Sequence, residues 1–426
     1  MKKRIAIFPA GTEIGLEIHN ALKYSTHFEL FGFSSVSDHS EYVFQNHISD
    51  LPFYSDEGFL DKINGYLIAH KINYLFPAHD DVQLFLTENA KDIKAEVLTS
   101  SIDTVRICRS KLKTYEFFKE ENFTPKTYGN VNEIKKYPVF VKPDVGQGSK
   151  GAELIRNKTE LENALIRNEK VAICEYLPGD EYTIDCFTDY EGNLRACKLR
   201  QRKRVKSGIS VNSEVLPMND DVFEIAKAIN SKLKFNGVWF FQLKKDLNNE
   251  YKLLEIAPRV SGTMGVSRNK GVNFSLLTVF NSMKIPVTII ENNYDIEVDR
   301  ALISRYNLKL EYKNIYVDLD DTIINNNQIN TFLMMFLYQA INLGKKIYLI
   351  SRHVKSIEET LIDNRISIDL FDEIIHLKNG ENKADHIELY NSIFIDDSFS
   401  ERYSVALKGI PVFDLDSVEC LINWKR

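Results

Sequence analysis

A chain of 426 residues is about three times a typical domain, so two or three domains with ample cores are expected and a small disulfide-stapled module is excluded. Hydrophobic residues make up 44% and charged residues 27%, the balance of a self-folding globular protein rather than a disordered one. A net charge of −6 creates no general attraction for nucleic acid or an anionic bilayer, so such a partner would need a local basic patch.

The five cysteines, Cys108, Cys174, Cys186, Cys197 and Cys420, form no CxxC pair, which argues against a zinc ribbon or a disulfide framework and for a reducing, cytoplasmic setting. The N-terminal apolar run after Met1 is short and enters a glycine turn, so it reads as a first strand rather than a secretory leader. No apolar run reaches the ~20 residues of a membrane span.

Apolar runs at Ile5–Phe8, Leu30–Phe33 and Tyr74–Phe76 alternate with stretches of helical period, the pattern of a parallel α/β sheet over residues 1–105. The turn Pro9–Gly15 has two glycines where a strand meets a helix, but it lacks the full GxGxxG fingerprint, so packing ranks ahead of nucleotide binding there. From about Ser110 the texture becomes short β-rich runs with glycine turns and two helical stretches, which reads as an α+β unit with antiparallel sheets.

Within that unit a strand ends at Lys142 and is followed by Gly146, Gly148, Ser149 and Gly151, a loop whose backbone N–H groups can approach phosphate oxygens closely. Alone it would be an ordinary hairpin. Downstream, Glu175, Tyr176 and Leu177 close a strand before a Pro-Gly turn, and Glu181 enters the next. Val238–Gln242 and Tyr251–Arg259 read as strands joined by a tight turn that sets Gln242 opposite Glu255, an oxygen pair suited to Mg²⁺.

This ordered series resembles the ATP-grasp superfamily, in the branch similar to carbamoyl phosphate synthetase and biotin carboxylase. The resemblance implies that Lys111, Lys142 and the loop Gly146, Gly148, Ser149 and Gly151 hold nucleotide phosphates. It further implies that Glu175, Tyr176 and Leu177 hold adenine, Glu181 the ribose, Gln242 and Glu255 a metal, and that Arg259 faces the transferred phosphoryl group. The family's metal strand usually ends Glu-x-Asn-Pro-Arg with the asparagine as a ligand, and here Ala257 replaces it, a version that some ligase branches of the superfamily resemble. The basic run Lys198–Lys206 is either a solvated face or, by the same resemblance, a wall of the active site, with Arg204 as the chosen residue; nucleic acid ranks below both.

Past a polar stretch and an isolated strand between Glu291 and Tyr312, a new α/β unit opens. Asp318 and Asp320 follow an apolar strand, Ser351 ends a second, Lys383 opens a helix, and Asp396 with Asp397 ends a third. Acids at the C-terminal ends of parallel strands repel one another unless a cation sits between them. The four-part series resembles the haloacid dehalogenase superfamily of phosphohydrolases. That implies Asp318 as nucleophile, Asp320 as acid/base, Ser351 and Lys383 as phosphate binders, and Mg²⁺ among Asp318, Asp320, Asp396 and Asp397.

The two resemblances together imply an α/β and α+β multidomain chain: a Rossmann-like pre-ATP-grasp domain over 1–105, an ATP-grasp domain over 106–305 and a haloacid dehalogenase-like α/β domain over 306–426. The function they imply is a bifunctional enzyme, an ATP- and Mg²⁺-dependent carboxylate–amine ligase acting through an acyl phosphate and a phosphatase acting through an aspartyl phosphate. Mn²⁺ is an acceptable substitute metal. Expected partners are a small-molecule carboxylate, an amine and a phosphorylated substrate, with a homodimer as the common family state and no membrane. The alternatives are an ATP-grasp kinase of a small molecule, an ATP-sensing module that regulates the phosphatase, and, ranked last, an interaction scaffold.

Overall fold

The computed structural model describes residues 2–146, 148, 150–167, 170–206, 208–378 and 380–425. The chain forms two compact units, residues 1–302 and residues 303–425, each described by itself.

The first unit begins with a five-stranded parallel sheet in the order Asn46–Ile48, Phe28–Phe33, Lys3–Phe8, Tyr74–Pro77, Glu96–Val97. Ile5, Ala6 and Ile7 on the central strand are fully buried, as expected of a strand covered by helices on both faces. The chain leaves the central strand to one side and returns to the other, so a crevice opens beyond Phe8 and Pro77. Two helices start there, Glu13–Leu22 and Asp80–Glu88, capped by the Thr12 hydroxyl on the Gly15 N–H and by His79 Nδ1 on the Asp81 N–H.

Two antiparallel sheets follow. The four-stranded one runs Thr127–Tyr128, Val171–Glu175, Val139–Pro143, Glu153–Ile155. The six-stranded one runs Tyr251–Ala257, Gly237–Lys245, Glu181–Thr188, Leu194–Lys206, Ile209–Leu216, Glu297–Asp299. The stretch near residue 297, expected as an isolated strand, is thus the paired edge of this sheet, because its backbone groups meet those of Asn212–Glu214. Both faces of the large sheet are covered. Trp239 and Phe241 face the helix Asp220–Lys232, while Val238 and Phe240 join Phe274, Val279 and the Ile5–Ile7 side of the parallel sheet. The helices Gly265–Asn269 and Phe274–Ser282 follow the last hairpin of the large sheet.

A charge pair lies inside the large sheet. Asp185 and Arg200 have fully buried side chains and meet in a two-point contact, Nε to Oδ2 at 2.6 Å and Nη2 to Oδ1 at 2.8 Å. The remaining guanidinium donors reach Thr263 Oγ1 at 2.6 Å and Ser261 Oγ at 2.9 Å, and the hydroxyls of Ser261 and Ser267 donate to the carboxylate.

The second unit is a five-stranded parallel sheet ordered Glu373–His376, Lys346–Ser351, Asn314–Val317, Ser392–Ile395, Val412–Phe413. The helix Thr331–Asn342 packs Leu333, Phe336 and Leu337 against Ile315, Val317 and Ile347. All five cysteines are free, and among the described residues no helix is long and apolar enough to cross a membrane.

Asp185→Ala would strand the Arg200 charge in the sheet and should destabilise the first unit by about 3–5 kcal/mol. The chain has two tryptophans, Trp239 and Trp424, one in each unit. The loss is therefore read as a lower urea midpoint of Trp239 fluorescence in a Trp424→Phe background.

Candidate functional site

Two adjoining cavities of about 740 and 170 Å³ open in the first unit. The smaller is lined by Lys142, Glu175, Tyr176, Leu177, Glu181 and Leu254. Lys142, next to last on the strand Val139–Pro143, is 8% exposed, with Nζ donating to the Leu254 carbonyl at 3.2 Å and lying 5.0 Å from the Tyr115 ring centre. Burial pulls its ammonium below the usual lysine range, opposed by the nearby Cys174 and Glu255. The Glu175 carboxylate accepts from the Lys126 N–H at 2.8 Å, while Glu181 is ion-paired with Arg202.

Lys111, Gly146, Gly148, Lys150, Arg202, Gly208, Gln242 and Glu255 line both cavities and so mark their junction. Lys111 opens the helix Lys111–Phe117, held in place by Asp144, whose carboxylate accepts from Ser110 Oγ at 2.6 Å and from the Leu112 N–H at 2.9 Å. Gly148 and Gly208 both have positive φ, and a β-carbon on Gly208 would lie 2.1 Å from the Gly148 carbonyl carbon, so the two loops touch backbone to backbone. Gly151 also has positive φ but lines neither cavity, and Ser149 lies outside the described residues.

The charges at this junction are unevenly satisfied. Among the described residues Lys111, Lys142 and Lys150 have no carboxylate within ion-pair distance, and Glu255 makes no hydrogen bond or ion pair. Gln242 faces Glu255 across the strand pair. That neutral amide and lone carboxylate fit one hard cation that keeps most of its water or phosphate ligands.

The larger cavity is walled by arginines that already have partners. Arg259 holds Asp80 at 2.6 and 2.7 Å, and Arg300 holds Glu13 at 2.8 Å. Burial opposes ionisation of Asp80, but Arg259 outweighs it and holds the carboxyl below its usual range. Arg204, the residue chosen from the basic run, lies outside both cavities: its side chain is 60% exposed and pairs with Asp299. Register breaks on either side of position 204 end the simple alternation of the strand, and Arg200 and Arg202 are the members that face inward. Sequence reasoning also missed Glu13, Asp80 and Lys150. Asp80 was findable, since it stands just past a buried strand as Asp318 does.

In the second unit the strand Asn314–Val317 ends at Asp318, which is 5% exposed. Lys383 Nζ stands 2.7 Å from both Asp318 Oδ1 and Asp396 Oδ2. Burial drives the Asp318 carboxyl up to about 6 against the pull of Lys383, with Asp396 adding to the rise. Burial raises Asp396 too. For Lys383 burial acts downward, yet the two aspartates prevail and its ammonium is raised. Carboxylate oxygens of Asp318, Asp396 and Asp397 lie within 4.8 Å of one another, a donor set that fits Mg²⁺. Asp320 is more open and meets His353 Nδ1 at 2.8 Å and Ser351 Oγ at 3.4 Å.

Residues 167–301 match the family model described as ATP-grasp in the biosynthetic pathway with Ter operon. A stretch of 61 residues is 43% identical to a D-alanine–D-alanine ligase of Fusobacterium nucleatum, covering 14% of this chain and only 21% of that protein. N5-carboxyaminoimidazole synthetase from Staphylococcus aureus, solved with ADP, is similar with a TM-score of 0.59 at 18% identity, over 71% of this chain and 83% of that one. The biotin carboxylase domain of Hydrogenobacter thermophilus 2-oxoglutarate carboxylase, solved as a dimer with MgADP, ADP and bicarbonate, gives 0.57 at 15% identity, over 70% and 74%. At these identities the likeness to the solved structures is one of fold, and the family match adds a likeness to ATP-grasp proteins over residues 167–301.

In metal-free protein the folded pKa of Asp318 exceeds its unfolded value, so its contribution to stability is full below about pH 4 and is lost as pH rises through about 6. Mg²⁺ needs the ionised carboxylates. Millimolar Mg²⁺ should therefore raise the second unit's melting temperature by on the order of 5 °C at pH 7 and by little at pH 5. Trp424 fluorescence in a Trp239→Phe background reads the shift, and Asp397→Asn should remove it.

Proposed function

We propose that the chain is a bifunctional enzyme: residues 1–302 join a carboxylic acid to an amine at the expense of ATP, and residues 303–425 hydrolyse a phosphomonoester. The observation that carries the first half is the cavity junction, where Lys111 and Lys150, without carboxylate partners among the described residues, line both cavities with the unengaged Glu255, and Lys142 lines the smaller one. Such a cluster is matched to a polyphosphate and its cation, and fold relatives solved with ADP and MgADP support that reading.

In this mechanism Glu175, Tyr176 and Leu177 bind adenine, and Lys111, Lys142 and the loop at Gly146 and Gly148 hold the phosphates. Glu255 and Gln242 hold a Mg²⁺, which supplies Lewis-acid neutralisation of phosphate charge. The acid occupies the larger cavity under Arg259. Its carboxylate oxygen attacks the γ-phosphorus, the bond to ADP breaks, and an acyl phosphate forms. The amine then attacks the acyl carbon, loses a proton, and expels inorganic phosphate. Positioning and charge stabilisation do most of this work, since the reacting groups belong to the substrates.

In the second unit Asp318 attacks the phosphorus of the ester while Asp320 protonates the departing alcohol. Asp320 then takes a proton from water as the water attacks the phosphorus of the aspartyl phosphate, restoring Asp318 and releasing phosphate. Ser351 and Lys383 hold the phosphoryl oxygens. Asp396 and Asp397 complete the carboxylate set around Mg²⁺.

The test is ADP release with Mg²⁺-ATP across a panel of amino acids, sugar acids and their phosphorylated forms, with products followed by mass spectrometry. Turnover should require both an acid and an amine, and Lys142→Ala should lower it by about 10²-fold or more. Asp318→Asn should abolish phosphatase activity while leaving ADP release intact. Phosphorylation without consumption of an amine would instead make the first unit a kinase.

A further inference from the structure

The ATP-grasp resemblance carries an expectation that the site does not meet. The family position that supplies the asparagine ligand is Ala257, whose methyl group cannot bind a metal, and it stands opposite Phe240 rather than a polar group. The facing strand offers the neutral Gln242. Among the described residues the only grouping of three carboxylate, histidine or cysteine ligands is the one in the second unit. Among the described residues Glu255 is the one acidic side chain that lines both cavities, so a second ion there would have to share its carboxylate.

A fixed positive charge stands beside it. Arg202 lines both cavities, its side chain is 7% exposed, and its Nε is buried without a hydrogen-bond partner among the described residues. Its remaining donors are tied down, one on Glu181 and, at 3.3 Å, on Gln242 Oε1, the other on the Gly208 carbonyl at 2.8 Å. The group is therefore held in place, desolvated, and short of one acceptor. A phosphate oxygen at the junction would supply that acceptor, and a guanidinium in a water-poor site is an effective phosphate partner.

We propose that the nucleotide site of the first unit takes a single divalent cation through Glu255, and that Arg202 provides the positive charge on the terminal phosphate that a second ion would otherwise provide. This deepens the ligase reading and rests on its nucleotide site, but not on any acid or amine.

The test uses the full chain carrying Asp396→Asn and Asp397→Asn, which removes the second unit's metal cluster. Mn²⁺ binding is counted by electron paramagnetic resonance in the presence of a saturating β,γ-imido analogue of ATP. One Mn²⁺ per bound nucleotide is expected, and two would overturn the proposal. Combining Gln242→Glu with Ala257→Asn should raise the count to two, which shows that the assay can detect a second ion.

Arg202→Met should weaken the ATP analogue about tenfold more than ADP, and Arg202→Lys should recover part of the difference. An unchanged preference in a folded Arg202→Met protein would also overturn it. If neither nucleotide binds the parent chain at millimolar concentration, the nucleotide-site reading itself falls. A normal nucleotide affinity with two ions removes only the single-cation proposal.

Discussion

The floor of the larger cavity depends on one charge pair removed from water. Asp185 and Arg200 sit on adjacent strands with no exposed side-chain surface, and every polar atom between them is engaged by the other or by Ser261, Thr263 and Ser267. Such a pair gives little net stability against an apolar alternative, but it specifies one arrangement because any shift leaves an uncompensated charge. Here it fixes the chain just after Arg259 to the middle of the large sheet. The Arg259 guanidinium is thereby directed across to Asp80, more than a hundred residues earlier in sequence.

That contact explains why the parallel sheet and the antiparallel sheets behave as one unit. Arg259 and Asp80 join them by charge, Gln83 donates to the Pro258 carbonyl, and Ile5, Ile7, Phe240 and Val260 share one apolar cluster. The cavity between them is bounded on one side by two helix N-termini and on the other by arginines. The acids at those N-termini, Glu13 and Asp80, occupy the positions where helix dipoles favour negative charge, which leaves the arginines balanced rather than free. The free charge is concentrated at the lysines of the junction.

What could be read from the sequence divides along physical lines. Strands that end abruptly in a charged residue announce themselves, since an apolar run followed by Lys142, Glu255, Asp318 or Asp396 needs only local pattern. The pairing of Gln242 with Glu255 followed from the length of the turn between them. The inward members of the basic run did not follow, because the bulges around Arg204 change which side chains face the cavity and no local pattern marks them. Partners separated by long stretches of chain, such as Asp80 with Arg259 or Glu13 with Arg300, were invisible for a simpler reason: each looks like an ordinary surface charge until the fold brings its partner beside it.

The backbone contact between Gly148 and Gly208 restricts which residues the two turns can carry. A β-carbon on Gly208 would lie 2.1 Å from the Gly148 carbonyl carbon, so no side chain fits between the two turns where both cavities meet. Gly208 is thus held to glycine twice over, by its positive φ and by the backbone it touches, and any larger residue there would force the two turns apart.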